Sequence, residues 1–109
     1  MMETEAQVRL VVAAGATLLD ESTPEWFDTV DLNRLDMESP YDSVLGQLYE
    51  NFVTGLKFLG LHTRDIMERQ WYGFAIIDYK GYWYDDLTRE WVSVIEKRRA
   101  KAQNQRPAN

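Results

Sequence analysis

Between Tyr41 and Leu59 the apolar residues recur at helical spacing. Tyr41, Val44, Leu45, Leu48, Phe52, Leu56 and Leu59 fall on one stripe of a 3.6-residue period. Ser39-Pro40-Tyr41-Asp42 opens the run with a capping hydroxyl, a proline suited to the first helical position and an acid placed as in a capping box. Gly60 closes it as a C′ residue. The spacing predicts a helix over 40–59 that is buried along one side and forms the spine of the fold.

Two further stripes flank it. Val8, Val11, Val12, Gly15, Leu18 and Leu19 predict a first helix over 4–20, and Leu87, Trp91, Val94 and Ile95 a last one, capped by Asp85 or Asp86. Both are expected to pack on the 40–59 spine. Gly15 lowers helix propensity by about 1 kcal/mol relative to Ala. It lies on the apolar stripe, where it suits the close approach of another helix, including one from a second copy in a homodimer.

Ser22-Thr23-Pro24 stops the first helix and starts a short one, with Thr23 as N-cap and Trp26, Phe27 and Val30 as core anchors. Residues 31–38 read as a tight connector that plugs the core with Leu32, Leu35 and Met37. Residues 63–70 read as a short helix capped by Thr63. From Trp71 to Tyr84, seven of fourteen residues are aromatic, which favours strand, and Lys80-Gly81 can turn it. The expected fold is mainly α: a compact bundle of about four helices with a small β-hairpin near residues 74–84. One domain is expected over 1–101, followed by a disordered polar tail at 102–109.

Composition narrows the chemistry. None of the 109 residues is Cys, which removes disulfides, thiolate metal sites and thiol nucleophiles and fits the reducing cytoplasm. Hydrophobic residues make up 45% of the chain, too many for a disordered one. The apolar run from Val8 to Ala16 is short and follows Glu3 and Glu5, so no secretory leader is expected there. No apolar stretch approaches the roughly 20 residues of a membrane span.

The formal net charge of -6 is unevenly spread. Residues 1–50 hold eleven Asp or Glu against Arg9 and Arg34. Nucleic-acid binders present a basic face, so direct nucleic-acid binding is not expected. Residues 97–106 instead carry Lys97, Arg98, Arg99, Lys101 and Arg106 without an acid. They suit the negative end of a helix, or contact with phosphate or an acidic neighbour.

No catalytic constellation stands out. His62 is the only histidine, and it follows a helix end where a surface or cap role is expected. Asp28, Asp31 and Asp36 lack the glycine and terminal Glu of a calcium loop. Ser22, Ser39, Ser43 and Ser93 sit in no glycine-flanked elbow, and the glycines form no phosphate-binding loop. Neither a metal nor a cofactor is expected. The one enzyme-like arrangement is Asp85-Asp86 beside Trp83 and Tyr84, which would pair acid/base carboxylates with an aromatic platform in a ligand pocket.

Two features point to interaction with another protein. Asp28, Asp31 and Asp36 mark an acidic face able to meet a basic surface with fast, salt-sensitive association. Trp71, Tyr82 and Trp83 are residue types that anchor interfaces, although Trp and Tyr also build small cores. The expected function is therefore a non-enzymatic interaction module. The alternatives are a small-ligand binder or enzyme using Asp85 and Asp86, and a self-associating structural protein.

The segment from Gly15 to Leu61 carries a resemblance. Leu18-Leu19-Asp20-Glu21, Pro24 with Trp26, Leu35-Asp36-Met37 and Val44-Leu45-Gly46-Gln47-Leu48-Tyr49 resemble an uncharacterised family of small actinobacterial and actinobacteriophage proteins. Tyr72-Gly73-Phe74 and Leu87-Thr88 with Trp91 extend the likeness over most of the chain, without a catalytic signature. The resemblance implies a bacterial or phage setting and no assigned reaction. By analogy with other small acidic phage proteins, the expected partner is a host protein and the expected role that of an inhibitor or nucleic-acid mimic. The resemblance also implies Cys in many relatives where Ser43 stands here, so no thiol role carries over.

Overall fold

Two long helices, α1 (Met2–Ser22) and a last helix at Tyr84–Gln105, pack against each other and frame the core. The computed structural model describes residues 2–62, 72–76 and 83–105. Between the long helices lie α2 (Trp26–Thr29), α3 (Val44–Tyr49) and α4 (Phe52–Phe58), so the last helix is α5. The protein is mainly helical, and its radius of gyration of 13.8 Å is close to the ~13 Å of a compact chain of this length. No helix among the described residues is long and apolar enough to cross a membrane.

Helical periodicity explains the α1–α5 contact. Val8, Val12, Ala16 and Leu19 are buried on α1, and Leu87, Trp91 and Ile95 on α5. Trp91 stands at the centre. Its ring stacks on Phe74 at 5.6 Å and meets Trp26 edge-on at 5.8 Å. Its indole N–H donates to the Gly73 carbonyl at 2.7 Å. Gly15 lies beneath it: a Cβ there would fall 3.0 Å from the Trp91 ring and inside the van der Waals envelope of the Tyr72 carbonyl oxygen. Gly15 therefore admits residues 72–74 and Trp91 of its own chain. That occupies the face the sequence offered for a homodimer.

The expected spine over 40–59 is not one helix. Glu50 takes φ 79, and Asn51 then caps α4 by accepting a hydrogen bond from the Thr54 N–H at 2.9 Å. Ser43 caps α3 and accepts from the Gly46 N–H at 3.1 Å. The result is a tight helical hairpin. Phe52 N–H donates to the Pro40 carbonyl at 2.8 Å, and a Cβ on Gly55 would sit 2.8 Å from Leu45 Cβ. Burial still follows the stripe. Val44, Leu45 and Leu56 are fully enclosed, Leu48, Phe52 and Leu59 half-buried, and only Tyr41 exposed. Periodicity specified which side chains face inward, while local capping decided where the backbone bends.

Other local expectations divide similarly. Gly60 has φ 76, Gly60 N–H bonds the Lys57 carbonyl at 3.2 Å, and Leu61 N–H bonds the Leu56 carbonyl at 2.8 Å. This is the Schellman pattern that ends α4, with Leu56 and Leu61 both buried. Thr23 does not cap α2. Glu25 holds that position with φ 62, and the Thr23 hydroxyl hydrogen-bonds the Tyr49 hydroxyl instead. Asp42 pairs with Arg34 at 2.6 Å rather than completing a capping box, while Ser39 Oγ accepts from the Tyr41 and Asp42 N–H groups.

The hairpin near 74–84 is not supported. No strand is present among the described residues, Phe74–Ile76 are irregular, and Tyr84 already begins α5. Tyr84 Oη accepts from the Ile76 N–H at 3.2 Å, tying that segment to the helix. The expected helix over 63–70, and the turn at Lys80-Gly81, lie outside the described residues. Helix α5 runs on through Ala102 to Gln105, so the start of the expected polar tail is helical.

Candidate functional site

The acidic segment after α2 is folded back along α5. At one end the Arg99 guanidinium donates to the Phe27 carbonyl at 2.9 Å and also to the Val30 carbonyl. These contacts serve the C-terminal end of α2, where carbonyls lack helical partners. At the other end the Met37 N–H donates to Thr88 Oγ1 at 2.9 Å. Thr88 and Arg99 are eleven positions apart on α5, so the segment spans about 16.5 Å at 1.5 Å per residue. Val30, Leu35 and Met37 are buried against the core.

Gln47 of α3 holds the segment from the opposite side. Its Oε1 accepts from the Asp31 N–H at 2.7 Å, and its Nε2 donates to the carbonyls of Asp31 and Asp42 at 3.2 and 3.0 Å. Asp36 N–H donates to the Asp42 carbonyl at 3.1 Å. Two of the acids also shape the loop locally. Asp31 Oδ1 accepts from the Asn33 N–H at 2.9 Å and Asp36 Oδ1 from the Glu38 N–H at 3.0 Å, each an Asx turn. Asp28, Asp31 and Asp36 are all exposed. The structure therefore sets Asp28 and Asp31 near the Arg99 end of one strip and Asp36 near the Thr88 end.

Trp83 is 49% exposed and immediately precedes α5. Trp71 and Tyr82 lie outside the described residues. Within the aromatic stretch, Phe74 is fully buried and Tyr72 stacks on it at 6.5 Å. That part of the stretch is core, and Trp83 is surface.

Asp85 and Asp86 are placed differently at the start of α5. Asp86 accepts the Trp83 N–H at 2.9 Å and an Arg89 guanidinium hydrogen bond at 2.6 Å, the reach-back half of a capping arrangement. Asp85 is exposed. The nearby hollow between Met37–Pro40, Phe52, Phe74 and Tyr84 holds about 110 Å³ and includes neither aspartate. That volume falls well below the ~300 Å³ at which ordinary ligand pockets begin. Among the described residues, no group of three or more His, Asp or Glu is placed to hold a metal ion.

Charge pairing that sequence reasoning missed lies at the other end of the molecule. Arg98 grips Asp20 with two hydrogen bonds, Nε to Oδ1 at 3.1 Å and Nη2 to Oδ2 at 2.7 Å. Trp26 Nε1–H donates to the same carboxylate at 2.8 Å. Partial burial pushes the Asp20 carboxyl up. The hydrogen bonds from Arg98 and Trp26 and the Arg98 charge outweigh it and hold Asp20 below its ordinary 3.8. Asp20 and Arg98 are 78 positions apart, so no local pattern joined them. The lopsided charge was the only available signal.

No protein-family model, curated protein or solved structure matches the chain.

Proposed function

We propose that the chain is a non-enzymatic protein-interaction module, encoded by phage or prophage, that docks its acidic loop on a basic surface of a host protein in the bacterial cytoplasm. The observation that carries this reading is a prefixed acidic loop. The Asp31 and Asp36 carboxylates are exposed on a backbone already pinned by Gln47, Arg99 and Thr88. A partner gains contacts without ordering the loop, so the entropy lost on docking is small. Trp83 adds an aromatic anchor at the Thr88 end, and Trp71 and Tyr82 are further contact candidates. A strip of carboxylates competes for surfaces that otherwise hold phosphate, which makes inhibition by nucleic-acid mimicry the expected mode. The phage setting rests on the family resemblance.

The test is capture from bacterial lysate with the wild-type chain and an Asp28→Asn, Asp31→Asn, Asp36→Asn variant. Asparagine keeps a side-chain oxygen for both Asx turns while removing charge. The expected result is a specific protein retained at low salt, released as salt rises, and lost with the variant, whose melt stays within about 0.5 kcal/mol of wild type. Capture that is indifferent to both salt and the three substitutions would overturn the acidic-loop reading.

A further inference from the structure

The basic end of α5 forms a second, oppositely charged feature that the acidic-loop reading does not use. Lys97, Arg98, Lys101, Ala102 and Gln105 line one wall of a cleft of about 370 Å³, and Asp20 with Phe27 lines the other. We propose that this cleft binds a small amphipathic organic anion, a carboxylate or phosphate head on a short aromatic or aliphatic body.

Four observations support the assignment. The volume falls within the roughly 300–1,000 Å³ of small-molecule sites, unlike the smaller hollow beside Tyr84. The lining carries three cations against the single carboxylate of Asp20, a local excess of positive charge in a chain of net charge -6. Lys97 and Lys101 are one helical turn apart and therefore neighbours that repel. Neither has a carboxylate partner among the described residues, so an anion between them relieves that repulsion. Arg98 is already held in place. Asp20 takes its Nε–H and one Nη2–H, and the guanidinium carbon sits 6.0 Å from the centre of the Trp26 ring. Its remaining N–H donors have no partner among the described residues, which leaves a pre-aimed donor group beside the two lysine ammonium groups.

The apolar part of the lining sets the class of anion. Phe27 is the outermost member of an aromatic series that runs inward through Trp26, Trp91 and Phe74. With Ala102 and the lysine stems it gives an apolar wall beside the cations. A bare oxyanion leaves that wall in water, whereas an aryl or alkyl anion covers it. Gln105 supplies an amide for a second polar contact.

The test is an NMR titration of the full chain with phenyl phosphate, benzoate, inorganic phosphate and benzyl alcohol in turn. The Trp26 indole N–H is the built-in reporter, because it shares the Asp20 carboxylate with Arg98. Phenyl phosphate or benzoate should give saturable shifts at Phe27, at Lys97–Gln105 and at that indole signal. The stronger of the two identifies the head group. Inorganic phosphate should bind about tenfold more weakly, and benzyl alcohol should give no saturable shift. The Lys97→Gln, Lys101→Gln variant keeps helix propensity and should weaken aryl-anion binding at least about tenfold, with the Trp26 signal reporting an intact fold. Equal binding of benzyl alcohol, equal binding by the variant, or no saturable shift with either aryl anion would overturn the proposal. Because the acidic loop is unaltered, capture by that loop is read separately and can fail or succeed on its own.

Discussion

Replacing Gly15 by Ala sets two effects of opposite sign against each other. Helix propensity alone favours Ala at this position on α1 by about 1 kcal/mol. The tertiary structure opposes it. The new methyl would overlap the Tyr72 carbonyl oxygen and lie 3.0 and 3.1 Å from two carbons of the Trp91 ring. A carbon normally stands about 3.3 Å or more from a carbonyl oxygen, so residues 72–74 must retreat. That retreat draws the Gly73 carbonyl away from the Trp91 indole N–H, now at 2.7 Å, and loosens the Phe74–Trp91 stack at 5.6 Å. Overpacking of this kind costs about 1–3 kcal/mol, and a buried donor left without its acceptor a further ~1–3 kcal/mol. Subtracting the propensity gain leaves a net loss of about 1–5 kcal/mol. Urea denaturation followed by tryptophan fluorescence measures it. Ala13→Gly, at an exposed site on the same helix, is the control and should lose about 1 kcal/mol from propensity alone. Both substitutions are thus expected to destabilise, whereas propensity without tertiary contact gives them opposite signs. A raised midpoint for Gly15→Ala would refute the close approach of residues 72–74 to α1.

Three further expectations follow from the same geometry. Trp91→Phe retains a ring against Phe74 and Trp26 but removes the donor to Gly73, and should cost about 1–3 kcal/mol in a thermal or urea melt. Glu50→Gly relieves a non-glycine residue at φ 79 and should raise stability by about 1 kcal/mol, while Asn51→Ala removes the α4 cap and should lower it by about the same amount. A single continuous helix over 40–59 would instead make Glu50→Gly destabilising. The Asp20 carboxyl is held low in the folded chain, so its contribution is complete above the ordinary value of 3.8 and is lost as pH falls through the lower folded value. Melts across that acid range should show this loss in wild type and its absence in Asp20→Asn, and an identical acid profile for the two would remove Asp20 as the origin.

Individual residues show what was legible and what was not. Exposure of Asp28, Asp31 and Asp36 was readable from a charge-rich connector, and burial of Leu35 and Met37 from the apolar residues on either side of Asp36. The partnership of that connector with α5 was not readable, because Arg99 and Thr88 are more than fifty positions away. The basic residues at 97–101 looked like compensation for a helix terminus. In the fold Arg98 serves Asp20, Arg99 serves the end of α2, and Lys97 and Lys101 face a cleft. Adjacency of Asp85 and Asp86 in sequence did not reveal that Asp86 turns back to the Trp83 N–H.

Taken by itself, the sequence determined the helical class, the inward faces of α1 and α5, the inward stripe from Val44 to Leu59 and the stop at Gly60. Each depends on interactions spanning only a few residues: a 3.6-residue period, a glycine free to take positive φ. Tertiary structure decided that α1 and α5 form the frame, that the 40–59 segment bends into two short helices, and that Gly15 receives a carbonyl and an indole of its own chain. Those outcomes depend on contacts between distant segments, and an apolar stripe specifies that a face is covered without specifying what covers it.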